Sequence, residues 1–354
     1  MNGDVLSILE AIKIHAKETP DKLCAGDKKK SATYSEFWDM IQRAATYLKN
    51  SGVRKDSIVV IRGVQKVEYL VAALGIQLAG AAYLPLEKAV KDDRILEIMK
   101  FVEADVYVAE KPVNNENVKN ISLKELLKIV TDKTSPIETF EMPKSNQLAE
   151  ILFTTGTTGK SKGIEVTFKT DVAIAQNVID SVEMGKDEVE LLSTPINHSL
   201  AIRRFYGAMY NGSTAILTDG FLFVEDFFKL LDNYKITAIT FVPAILDMVL
   251  KFAKDRFATY DGQFNYIQMG SAPLSETDKE LLTKMFPTVR LYNTYGATES
   301  GCTVILEFNK YADKKNCIGR TTVNTTIFFV DENRNEIEAS FENPGYMAFK
   351  GDMN

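Results

Sequence analysis

This sequence is poor in the residues that build metal and redox centres. Its 354 residues include three cysteines and two histidines. Cys24, Cys302 and Cys317 have no metal-ligand spacing, and their odd number and wide scatter fit free thiols in a reducing compartment. Only His15 and His198 could supply an imidazole, which weighs against a zinc enzyme and leaves His198 as the candidate histidine base. A basic excess is also missing: Lys and Arg total 42 against 48 Asp and Glu, a net charge of -6. That balance argues against broad binding of nucleic acid or of an anionic membrane. No apolar run is long enough to span a bilayer, and the opening "MNGDVLSILEAIKIHAKETP" lacks a signal-peptide pattern. The expected location is the cytoplasm. The one basic cluster, Lys28-Lys29-Lys30, reads as a solvated hairpin tip.

What is present is an ordinary globular composition, 45% hydrophobic and 25% charged, in a chain long enough to divide into subdomains. Strand and helix patterns alternate along it. "SIVVIRG" (57–63) reads as a buried strand, 92–102 as a helix and "ADVYVAE" (104–110) as a strand. After a polar connection over 111–147, with a short helix near 122–131, the rhythm resumes. Helices are expected near 169–184, 200–211, 224–233 and 275–286. Strands are expected at 189–194, 213–218, 236–242, 264–269 and 289–293. The tail from about 303 to 354 is mostly β in pattern. The predicted class is α/β: two αβ-layered subdomains, 1–147 and 148–302, and a smaller β-rich, barrel-like segment, 303–354.

The stretch "ILFTTGTTGKSKG" (151–163) raises the question of chemistry. Gly159-Lys160-Ser161 supplies the end of a Walker phosphate loop, but the first glycine of that pattern falls on Thr154. A Walker loop also runs into a helix, whereas Ile164-Glu165-Val166-Thr167-Phe168 alternates like a strand. Hydroxyls on Thr154, Thr155, Thr157 and Thr158, with Gly156 and Gly159 allowing close backbone approach, still suit phosphate. Lys160 and Lys162 add positive charge.

Three further stretches accompany this loop: "NTYGATE" at Asn293–Glu299, "GSAPL" at Gly270–Leu274 and "AGAAYLPL" at 79–86. With "ATYSEF" and "CIGR" in the same order, the sequence resembles the large N-terminal domain of the adenylate-forming superfamily. That superfamily holds acyl-CoA synthetases, peptide-synthetase adenylation domains and firefly luciferase. The resemblance runs from about residue 15 to 351.

It implies ATP-dependent activation of a carboxylic acid as an acyl-adenylate, followed by transfer to a thiol. CoA is the first expectation for that thiol, a carrier protein the alternative, and a nucleotide-binding regulatory protein the reading from another class. It further implies that Lys162 helps hold the β- and γ-phosphates, that Thr298 contacts the α-phosphate and that Glu299 ligates Mg²⁺. Tyr295 would stack on adenine, with Gly270, Ser271, Ala272 and Pro273 turning along the other side of the base. Asn293, Thr294 and Gly296 would shape the motif. His198, in "STPINHSLAIRR", would gate the acid pocket or orient the carboxylate.

The stretch lacks the aspartate that holds an α-amino group, which weakens a peptide-synthetase reading. Arg203 and Arg204 are unusual behind it: one could face a polar or carboxylated substrate, and a solvated or paired place on a helix is the first expectation for both. Ser161 replaces the usual loop proline, and Phe168 stands where relatives carry histidine and reads as packing. The family's cap domain, with its catalytic lysine, would lie beyond Asn354. The chain alone is therefore expected to bind ATP and turn over poorly.

Overall fold

A computed structural model describes residues 6–63, 66–154, 162–218 and 223–353, the side chain of Thr154 excepted. Two large sheets and one small one carry the fold. The six-stranded sheet runs in the order Lys119–Ser122, Val106–Ala109, Ile58–Arg62, Ala82–Leu86, Leu148–Thr154, Lys162–Thr167. Its first five strands are parallel, and the last returns antiparallel. The centre of the nine-stranded sheet is also parallel: Tyr266–Met269, Ala238–Phe241, Val189–Leu192, Thr214–Leu217 and Leu23–Gly26. These central strands are mostly apolar, with Glu190 and Gln268 among the polar exceptions, because helices cover both faces of such a sheet.

Sheet membership does not follow the chain linearly. The hairpin Leu23–Gly26/Ser31–Thr33 leaves the first subdomain to edge the nine-stranded sheet. The strands Leu148–Thr154 and Lys162–Thr167, beyond the boundary drawn at 147, extend the six-stranded sheet instead. The tail is also shared. Gly301–Glu307 and Arg320–Thr321 finish the nine-stranded sheet, while Thr326–Val330, Glu336–Ile337 and Tyr346–Lys350 form a separate antiparallel sheet. The Lys28–Lys30 tip is in place, but two of its lysines are paired, Lys28 with Asp226 and Lys30 with Glu68.

Local signals set the helix starts. Thr33 caps Tyr34–Asn50 in a reciprocal box with Glu36. Phe168 does not end the strand before it: it opens the helix Phe168–Val182, capped by Thr167, and its ring is buried in the core as packing.

The helix Ser199–Asn211 ties the two large sheets together. Consecutive arginines do this, and neither is solvated. The Arg203 guanidinium lies 2.6 Å from Glu150 Oε1 in the six-stranded sheet, off the hydrogen-bonding direction, and donates to Asp171 on the neighbouring helix. Glu150 also accepts from the Tyr83 and Tyr206 hydroxyls. Arg204 forks onto Glu190 of the nine-stranded sheet, Nε to Oε1 at 2.7 Å and Nη2 to Oε2 at 2.8 Å. Two carboxylates thus share one buried guanidinium at Arg203. Burial first, and the Glu150 charge second, push the Asp171 carboxyl well above the usual range against the pull of Arg203. Folding therefore favours the protonated form of Asp171.

A carboxyl whose folded pKa is raised adds stability that is complete below the unfolded value, near 3.9, and is lost as pH rises through the folded value. Asp171→Asn removes that loss. Urea unfolding between pH 4.5 and 7.5 is expected to show the variant gaining on the parent by up to about 1.4 kcal/mol per pH unit. Parallel stability curves would mean that Asp171 ionises normally.

Candidate active site

The strand Arg290–Ala297 builds the centre of the site. It is parallel to Tyr266–Met269 on one side and antiparallel to Gly301–Glu307 on the other. The sequence pattern predicts a strand ending at 293. The hairpin with Gly301–Glu307 carries it four residues further, through the motif itself. The extension is bulged: Tyr295 faces Val304, but Gly296 faces Cys302. The skipped Thr303 donates its hydroxyl to the Tyr295 carbonyl at 3.1 Å. Only glycine fits at the bulge, because a Cβ on Gly296 would lie 1.9 Å from the Gly301 carbonyl oxygen. Gly301 itself has φ +63.

The bulge turns the motif out of the sheet. Tyr295 is 46% exposed, with its ring 6.0 Å from that of Phe349, and offers a free aromatic surface. Thr298 is half-buried and Glu299 exposed in the turn that follows. The second wall comes from the end of Tyr266–Met269. Gly270 is buried there, and Ser271, Ala272 and Pro273 are exposed, with Ser271 in the left-handed region at φ +71. Both walls stand at the carboxyl ends of parallel strands, where open α/β sheets place their ligands.

Two cavities meet at this point. One, about 410 Å³, lies between Ala272 and Pro273 on one side and Asn293 and Tyr295 on the other, with Ile318 at its edge. The other, about 190 Å³, reaches down to Arg203, Arg204 and Gln268 and is walled by Ser199 and Leu200. Ser271, Thr294 and Gly296 line both. Thr298 lines the smaller one. A group lying between two ligands would therefore sit beside Thr294 and Gly296.

The remaining candidates are distributed as follows. Thr155, Gly156, Thr157, Thr158 and Gly159 lie outside the described residues, as does Lys160. Thr154 ends one strand and pairs in register with Lys162, which begins the next and is exposed. The chain thus leaves the loop in a strand, as the pattern predicts, and not in a Walker helix. His198 is exposed at the start of the helix Ser199–Asn211, 3.3 Å from Glu87 Oε1. It is not part of the smaller cavity's lining, whereas the two residues after it are.

Sequence reasoning missed Gln268, Ser199 and Cys302 in that lining. Gln268 carried a signal: it is the one amide in the buried strand Tyr-Ile-Gln-Met, at its ligand-facing end. Cys302 is not a nucleophile, because burial pushes its thiol up to about 11 and keeps it protonated at neutral pH.

No group of three or more metal-ligating side chains occurs among the described residues. No helix among the described residues is long and apolar enough to cross a membrane.

The family model described as "AMP-binding enzyme" matches residues 12–354. The polyketide synthase PksN of Bacillus subtilis is 27% identical over 97% of this chain, which spans 6% of that protein. A D-alanine–D-alanyl carrier protein ligase of Bacillus cytotoxicus is 25% identical over 83% of the chain, which spans 59% of it. The chain therefore covers less than two thirds of these relatives. The fold matches the inhibitor-bound N-terminal domain of FACL13 from Mycobacterium tuberculosis with a TM-score of 0.86 at 21% identity, covering 98% of this chain and 89% of that one.

Proposed function

The chain belongs to the AMP-binding enzyme family, and on that premise we propose that it activates a small carboxylic acid with ATP and passes the acyl group to a thiol. The observation that carries this reading is the pair of cavities joined at Ser271, Thr294 and Gly296. The larger takes adenine between Tyr295 and the Ala272-Pro273 turn, and the smaller takes the acid. A carboxylate oxygen then attacks the α-phosphorus. The new P–O bond forms as the bond to the β-phosphate oxygen breaks, and pyrophosphate leaves. In the second step the thiol sulfur attacks the acyl carbon, the C–O bond to AMP breaks and the thiol proton is released.

The first step brings two anions together, so it needs hydrogen-bond donors and positive charge rather than a base. Thr298 at the cavity mouth and Lys162 at the end of the hairpin supply these. Glu299 would hold Mg²⁺, which supplies charge neutralisation on the phosphates. His198 steers the incoming carboxylate from the rim.

CoA is the first reading of the acceptor, and the missing amino-group aspartate weighs only against a peptide-synthetase substrate. A carrier-protein thiol is supported by the names of the relatives, one of which is a carrier-protein ligase. Incubating the full-length protein and its acyl-adenylate with CoA and, separately, with a phosphopantetheinylated carrier protein decides between them.

Calorimetric titration with MgATP is expected to show binding that MgGTP does not reproduce. Glu299→Ala should weaken it about tenfold, roughly 1.4 kcal/mol. Equal binding of both nucleotides, unchanged in the variant, would sink the assignment.

A further inference from the structure

Three side chains that line the smaller cavity carry buried polar atoms that make no hydrogen bond within the protein. Arg203 and Arg204 are 2% and 1% exposed, and Gln268 is 1% exposed. Arg204 Nη1, Arg203 Nε and Nη2, and Gln268 Oε1 have no hydrogen-bond partner. All three residues line the cavity. Gln268 is held in place by its other end, because Nε2 donates to Thr294 Oγ1 at 2.7 Å. Unpaired buried polar atoms cost free energy, and a ligand group that reached these side chains would relieve part of that cost.

The chemistry of the missing group follows from the inventory. Guanidinium nitrogens require an acceptor and the amide oxygen requires a donor. A hydroxyl is both. A second carboxylate is not called for, since each guanidinium is already matched. Glu190 neutralises Arg204, and Arg203 already faces the carboxyl groups of both Glu150 and Asp171. An ammonium group would bring only donors to the arginine donors, and none of the described lining residues is acidic. Size is limited as well. A cavity of about 150 Å³ accepts benzene, so about 190 Å³ accepts a body near that size.

We infer that the acid activated here is a small hydroxy acid, no larger than a substituted six-membered ring. Its hydroxyl, away from the carboxyl group, donates to Gln268 and accepts from Arg204 or Arg203. This deepens the adenylation reading and rests on it. Gln268 is the specificity residue, and the arginines present the donors.

The test is ATP–pyrophosphate exchange by the full-length protein on acids matched in size. Benzoate is set against the three hydroxybenzoates, and butanoate against its hydroxy, amino and dicarboxylic counterparts. A site built to hydrogen-bond a hydroxyl rejects the analogue that lacks it by several orders of magnitude at best. At least one hydroxy acid is therefore expected to exceed its parent in kcat/KM by 10²-fold or more, as an order-of-magnitude threshold. Gln268→Leu should cut that ratio about tenfold, as the loss of one hydrogen bond to the substrate predicts, with melting and MgATP titration certifying the fold. Parent and hydroxy acids used alike, or an amino or dicarboxylic acid used best, would overturn the inference. If no acid supports exchange, the adenylation reading falls. The same panel's melting-temperature shifts then decide the pocket, and no selective shift by a hydroxy acid overturns the inference too.

Discussion

Replacing Arg203 with methionine is expected to destabilise the protein by about 3–5 kcal/mol, the usual cost of removing one partner from a buried ion pair. The residue is 2% exposed and holds Glu150 and Asp171, both sealed from solvent. Burial would draw its guanidinium pKa down, but the two carboxyl groups more than offset that and it stays charged. Without it, Asp171 can remain neutral, whereas Glu150 is left as a buried anion with two tyrosine hydroxyls for company. An unfolding entropy of about 2.1 cal/mol/K per residue, over 354 residues, converts this cost to a melting temperature lower by roughly 4–7 °C. Adding Glu150→Gln removes the stranded charge and should recover more than half of the loss. If the single variant melts within 1 °C or so of the parent, on that same entropy scale, the cluster does not hold the sheets together. Arg203→Lys separates charge from geometry: it restores the cation but not the two-way reach, and should fall between.

That cluster was not readable in the sequence, for a physical reason. Its members are residues 83, 150, 171, 203 and 206, and only the fold's crossovers bring them together. A pair of adjacent arginines in a polar-looking helix start has the same pattern whether it faces water or core. The nucleotide side is the opposite case. Asn293–Glu299 and Gly270–Leu274 are local stretches in which glycine, hydroxyl and carboxylate stand at fixed short spacing, so the strand-end turns they form could be recognised directly. What the local pattern lacked was the partner strand. The hairpin with Gly301–Glu307 carries the strand into the motif and makes the bulge. The same limit explains the sheet memberships. Leu148–Thr154 is a strand whose neighbours lie in Ala82–Leu86 and Lys162–Thr167, and periodicity does not encode pairing.

The bulge also gives the second large expected effect. Gly296→Ala should lower ATP–pyrophosphate exchange by about 10²-fold, equivalent to roughly 2.7 kcal/mol of transition-state stabilisation. The added methyl group would stand 1.9 Å from the Gly301 carbonyl oxygen and 2.9 Å from its carbon. Real side chains do not approach so closely, so the hairpin must open. Gly301 is itself closely packed, since a Cβ on it would lie 2.5 Å from Ile174 Cγ2, which restricts its retreat. The strand end carrying Tyr295, Thr298 and Glu299 must therefore shift instead, on the order of 1 Å, and misplacement of that size is enough to cost two decades in rate. Because Gly296 lines both cavities, the loss should appear in the KM for ATP and in the KM for the acid together. A defect in one pocket alone would move only one of them. Gly262→Ala, where an added Cβ meets nothing within 4 Å, serves as the matched control. Exchange by Gly296→Ala within about threefold of that control, under 1 kcal/mol, would mean that the bulge does not set the geometry between nucleotide and acid.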